Sequence, residues 1–136
     1  MERVSANAGQ AKTGWREVCS VIYDVNIMGK RGPRKMTAVI RAVDDNKTDE
    51  HIVTLWNKMP EWCDESRAYV LDFGGRVRLP SVKNFQLMHP DDEYYTVLQF
   101  GRVGPDSFTL DMRFPMTPLM ALGIAVSSVD RKLACS

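Results

Sequence analysis

Apolar and polar residues alternate along this chain in short runs, until one stretch near its end is apolar on every side. Cys19, Val21, Tyr23, Val25 and Ile27 alternate with Ser20, Asp24 and Asn26. That period of two predicts a half-buried strand over 19–27, with 36–43 as its neighbour. Further strands are expected at 51–56, 67–73, 82–88, 94–103 and 107–114. They are separated by Gly74-Gly75, His89-Pro90-Asp91-Asp92 and Gly104-Pro105-Asp106, residues that favour turns. The run 119–126, Leu-Met-Ala-Leu-Gly-Ile-Ala-Val, fits a buried strand or a buried helix by periodicity alone. Thr117 as N-cap, Pro118 at the first helical position and a span of about a dozen residues decide for the helix. It is too short for a bilayer, which needs about 20 apolar residues. A helix with no polar face must be surrounded by other elements.

The expected strands are too few to surround it. A sheet about 10 Å from a helix axis has a circumference of roughly 60 Å. At about 4.8 Å per strand, widened by a tilt near 40°, closure takes on the order of ten to thirteen strands, against about seven here. The expectation is an α+β, mainly β fold of antiparallel strands. It forms an open half-barrel with a bare helix flank, or is completed by another chain or by further sequence, and open edges and bare apolar surface favour association. Residues 1–14 are small and polar without periodicity and read as a flexible lead-in to one domain over 15–136.

Composition changes this picture in two ways. The 136 residues are 44% apolar and 26% charged, one domain's worth of core, and 18 basic against 17 acidic side chains leave a formal charge of +1. No whole-molecule field draws such a chain onto nucleic acid or an anionic membrane, so any such binding comes from a local patch. Cys19, Cys63 and Cys135 are odd in number and widely spaced, and no secretory signal opens the sequence. A reducing, intracellular compartment is expected. Asn46-Lys47-Thr48 matches a glycosylation sequon but reads as a polar turn in that setting.

The densest local charge is Gly29-Lys30-Arg31-Gly32-Pro33-Arg34-Lys35. Lys offers a flexible charge and Arg a fork that matches phosphate oxygens, so Lys30, Arg31, Arg34 and Lys35 are the candidate phosphate or lipid ligands, with Arg76 and Arg78 as helpers. At about 1 kcal/mol per basic residue near an anionic surface, the four give about 4 kcal/mol, a salt-sensitive attachment. A solvated turn and a nucleic-acid patch are the competing readings, the second weakened by the absence of interleaved aromatics. His51 and His89 have no Cys or carboxylate at metal spacing, and Asp91, Asp92 and Glu93 read as a solvated turn. Trp56 and Trp62 read as packing residues, and Ser127 and Ser128 as bonding back to the helix backbone. No nucleophile and base pair is apparent. The chain is read as a non-enzyme without cofactor or metal.

Several blocks together carry a resemblance. They are Val25-Asn26-Ile27-Met28-Gly29 with Gly32-Pro33-Arg34-Lys35-Met36, then Ser81-Val82-Lys83-Asn84-Phe85-Gln86, Gln99-Phe100-Gly101-Arg102-Val103, Phe108-Thr109-Leu110-Asp111 and the final Ser127 to Cys135. From about Arg16 to Cys135 the chain resembles the C-terminal half of the tubby domain of tubby-like proteins. The resemblance implies part of a β-barrel threaded by its C-terminal hydrophobic helix. It also implies a membrane-associated adaptor module that binds phosphatidylinositol 4,5-bisphosphate. The family's Lys-x-Arg pair and Asn for that lipid lie upstream of anything present here. A further basic ligand of the family aligns with Trp15, leaving Arg16 as a shifted substitute and the lipid site incomplete. The stretch 41–56 is also shorter than its family equivalent. The implied partners are a phosphoinositide-containing membrane surface and an upstream half or protein that completes the barrel, with self-association through the open edge. The implied location is cytoplasmic, peripheral at the plasma membrane or cilium, or nuclear. A structural or regulatory fragment and a nuclear transcription-associated regulator are the alternatives.

Overall fold

A computed structural model describes residues 2–10, 14–24, 35–43 and 50–129. Seven strands form one antiparallel sheet in the order β1(Glu2–Gln10), β2(Gly14–Tyr23), β3(Met36–Val43), β4(Glu50–Asn57), β7(Phe85–His89), β8(Asp92–Arg102) and β9(Phe108–Met112). A separate hairpin pairs β5(Glu61–Cys63) with β6(Ala68–Val70). One helix, α1(Pro118–Val129), completes the described structure. The sheet is an open half-barrel with β1 and β9 at its edges, and α1 lies against its inner face.

The alternation read from the sequence is the one that builds the core. Met36, Ala38, Ile40 and Ala42 point inward from β3, and Cys19, Val21 and Tyr23 do so from β2. They meet Leu55, Phe85, Leu87, Leu98 and Phe100 from the other strands, and Met120, Ala121, Ile124 and Ala125 from the helix. In β8 the alternation breaks, because Leu87 faces Leu98 while Met88 faces Thr96. The extra residue is Val97, so Val97 and Leu98 are both fully buried. Before this bulge Tyr95 and Val97 face the core; after it Leu98 and Phe100 do.

The helix starts where Thr117 and Pro118 predict. The Met120 N–H donates to Thr117 Oγ1 at 3.4 Å, a long N-cap bond, and the Ala121 N–H donates to the Thr117 carbonyl at 2.9 Å. Ser127 and Ser128 donate to the carbonyls of Ile124 and Ala125 at 2.7 and 2.6 Å, as their place late in an apolar helix suggests. Ser127 also pairs with the Tyr23 hydroxyl at 2.7 Å, pinning the helix to β2. Ala121 and Ile124 are fully enclosed, but Leu119, Leu122 and Val126 are about half exposed along one stripe. Seven strands thus leave a helix flank bare, as the strand count requires.

Three expectations are corrected. Residues 2–10, expected as a flexible lead-in, form β1 against β2, with Glu2 opposite Tyr23 and Gln10 opposite Gly14. Small polar side chains give no amphipathic signal, yet the backbone ladder needs none. The strand expected over 67–73 shrinks to β6, since the chain beyond it leaves the hairpin and crosses the outer face of the sheet. Residues 81–84 form a turn rather than the start of β7, the Asn84 N–H donating to the Ser81 carbonyl at 3.1 Å.

The crossing segment, residues 72–79, is a strap over β7, β8 and β9. Gln86 donates its side-chain N–H to the Asp72 carbonyl at 2.7 Å, Gln99 to the Phe73 carbonyl at 3.0 Å, and the Thr109 hydroxyl to the Arg76 carbonyl at 3.2 Å. The N–H groups of Arg78 and Leu79 both donate to the Arg102 carbonyl at 3.1 Å. Val77 lies directly on Gly101, where a Cβ would stand 2.1 Å from Val77 Cγ2, so only glycine admits the strap there.

Candidate functional site

The predicted site residues do not gather in one place. Arg16 lies in β2 opposite Ala8, seven steps along the strand from Tyr23, the residue that pairs with Met36. At about 3.3 Å per step it is roughly 23 Å along the sheet from the β2–β3 connection. Lys35 sits at that connection and is exposed; its carbonyl accepts the Asp24 N–H at 3.0 Å. Lys30, Arg31 and Arg34 lie outside the described residues. Arg76 is engaged elsewhere, forking onto Asp111 with contacts of 3.1 and 2.9 Å on the strap side. Arg78 is exposed on the strap.

The fold does bring other groups to Lys35. Thr37 pairs with Trp56, and continuing that register two steps sets Lys35 opposite Lys58. Met36 closes the ladder by donating its N–H to Asn57 Oδ1 at 3.0 Å, and the Lys58 N–H donates to the Gln86 carbonyl at 2.9 Å. Lys35 and Lys58 therefore end adjacent strands on the outer side of the sheet, where the basic stretch 30–35 rejoins it. Sequence reading missed Lys58, because its neighbour is set by register and not by spacing.

Beside Lys58 opens a polar cleft of about 430 Å³ whose walls include Gln86, Thr96, Gln99, Tyr94 and Arg113. Both cations are held by aromatic faces, Lys58 Nζ at 5.7 Å from the Tyr94 ring centre and the Arg113 guanidinium at 4.9 Å from that of Tyr95. Asp72, Glu93 and Asp111 also line it, so the cleft itself is not uniformly positive. Hydrogen bonds from Arg76 hold the Asp111 carboxyl below its ordinary range, so it carries a charge already matched by a guanidinium. Among the described residues, positive charge near the cleft belongs to Lys58 and, at the same end of the sheet, Lys35.

Other sequence candidates resolve more simply. Asn84, inside its family-like block, is buried and satisfied: it donates to the Leu79 carbonyl at 2.8 Å and accepts the Arg102 N–H at 2.9 Å. Trp56 and Trp62 do not fill the core, being 47% and 54% exposed. Among the described residues no three of His, Cys, Asp and Glu are grouped to hold a metal, and no helix is long and apolar enough to cross a membrane.

The Tub family model matches residues 43–131, more than half of the chain. The chain is 46% identical to Tubby-related protein 1 of Homo sapiens over 88% of its own length and 26% of that protein's. It is 45% identical to Tubby-related protein 2 of Mus musculus over 87% of the chain and 25% of the relative. It is also 45% identical to Protein king tubby of Anopheles gambiae over 88% of the chain and 31% of the relative. The chain thus spans between a quarter and a third of the length of these curated relatives.

Proposed function

The chain belongs to the Tub family as a partial tubby-type barrel, and from that premise we propose that it is a membrane-associated, phosphoinositide-binding adaptor module, not an enzyme. The observation that carries the reading is that Lys35 immediately precedes β3 and Lys58 immediately follows β4 at the same end of these paired strands, and that Lys30, Arg31 and Arg34 lie within five residues of Lys35 in the sequence. Lysine ammonium groups and arginine guanidinium forks are the side chains suited to phosphate oxygens. Arg16, a strand's length away, takes no part in the same headgroup contact. Attachment is electrostatic and salt-sensitive, at about 1 kcal/mol per basic residue. It places the module peripherally at the cytoplasmic face of the plasma membrane or in the cilium.

A second reading rests on the bare stripe of Leu119, Leu122 and Val126. A fragment that works only when an upstream half or a partner closes the barrel would need this flank covered before anything else. In that case the module is structural or regulatory, and lipid binding is absent in isolation.

Co-sedimentation separates the two. Vesicles containing phosphatidylinositol 4,5-bisphosphate are compared with vesicles matched in charge by phosphatidylserine. The first reading expects preference for the phosphoinositide, abolished by Lys30→Glu with Arg34→Glu and reduced about five-fold by Lys58→Gln, the equivalent of about 1 kcal/mol. Equal or absent binding to the two vesicle types removes the headgroup site.

A further inference from the structure

The β5–β6 hairpin projects an aromatic pair that the core does not use. Trp62 and Tyr69 stand directly opposite each other across the hairpin, so both rings leave the same face. Their centres are 5.2 Å apart at 72°, an edge-to-face corner, and they are 54% and 71% exposed. The Trp62 indole N–H donates to Asp64 Oδ1 at 2.9 Å, which fixes the indole and sets a carboxylate at its rim. Glu65 follows in the same exposed turn. The hairpin has three acids, Glu61, Asp64 and Glu65, against one base, Arg67.

In an edge-to-face pair one face is taken by the neighbouring ring's edge, and the faces left exposed, with carboxylates at the rim, match a cation: a face attracts its charge and the carboxylates accept its N–H groups. This molecule already uses the first half of that chemistry twice, in Lys58 over Tyr94 and Arg113 over Tyr95. Among the described residues no cation lies over Trp62 or Tyr69. The acidic balance of the hairpin opposes an anionic lipid surface and favours a basic polypeptide.

We propose that the Trp62–Tyr69 pair, with Asp64 and Glu65, is a docking point for a basic segment of a partner protein, one whose Arg or Lys side chain lies over an exposed ring face of the pair. This surface is separate from the basic corner at Lys35 and Lys58 and has the opposite charge preference.

The test is titration of the whole chain with a peptide of alternating Arg and Gly, read by the tryptophan indole N–H signals in heteronuclear NMR. An Arg-to-Glu copy of the peptide and phosphatidylcholine vesicles serve as comparisons. Expected are a shift of the Trp62 signal with the basic peptide only, about ten-fold weaker binding in Trp62→Leu, and about three-fold weaker binding with a flatter salt dependence in Asp64→Asn with Glu65→Gln. The double carboxylate variant leaves both rings in place, so it decides alone if Trp62→Leu disturbs the fold; undiminished affinity there overturns the proposal. So does a Trp62 signal that ignores the peptide, or one that responds to phosphatidylcholine vesicles instead. Lys30→Glu with Arg34→Glu should leave peptide binding unchanged, so the lipid reading and this one fail separately.

Discussion

The outer face of the sheet differs from one side to the other. Over β7, β8 and β9 the strap covers it, and Gln86, a polar residue pointing away from the core, is only 4% exposed. Over β2, β3 and β4 the outer residues surround a shallow hollow of about 190 Å³, and the apolar Ile52 is 66% exposed. Polarity alone would have placed these two residues the other way round. A buried amide is tolerable where the strap supplies carbonyls to bond, and Gln86 and Gln99 find them at Asp72 and Phe73. An exposed isoleucine is tolerable because single apolar residues on a surface cost little. Over β7, β8 and β9, burial on the outer face is therefore decided by the strap that crosses it.

Breaking the strap is the strongest way to erase this difference. Gly101→Ala forces a Cβ into Val77, whose own Cβ would be 3.0 Å away, so the strap must lift. A loss of about 1–3 kcal/mol in urea unfolding is expected, with faster hydrogen exchange of the Gln86 and Gln99 amides. The strap's ion pair gives a smaller effect. Because the Asp111 carboxyl is depressed by Arg76, its contribution is fully present above the unfolded value of about 3.9 and is lost as pH falls through the folded value. Asp111→Asn should therefore lower the melting temperature slightly at neutral pH, with the difference shrinking as pH falls below the unfolded value and vanishing once the folded carboxyl is protonated, a trend that thermal melts across pH can resolve. The smallest effect belongs to the uncovered side. Ile52→Thr should change unfolding free energy by less than about 0.5 kcal/mol, and a larger loss would mean that this face is covered after all.

Much of the fold was legible because the relevant signals are local. The alternation in 36–43, the turn residues at 89–92 and 104–106, and Thr117-Pro118 ahead of an apolar run each mark an element through interactions within a few residues. The shortage of strands around an apolar helix was legible too, and the bare stripe at Leu119, Leu122 and Val126 is its consequence. The candidate site was legible only as a list of charges. The spacing of Lys30, Arg31, Arg34 and Lys35 says nothing of Lys58, and the adjacency of Arg16 to the aligned family position hid its distance along the sheet from Tyr23 and Met36, beside Lys35.

The sequence by itself determined the strands that alternation marks, among them 36–43 and 51–56, which segment is the helix, and that the helix needs more wall than the expected strands provide. Periodicity, capping and turn chemistry act over a few residues and survive in any context. Only the tertiary structure decided that residues 2–10 join the sheet, that Val97 forms a bulge which reverses the facing of β8, that Lys35 and Lys58 flank the same end of paired strands, and that Gln86 is buried under a strap. Each of these depends on strand register or on contacts between residues distant in the chain, whose energies no local pattern records.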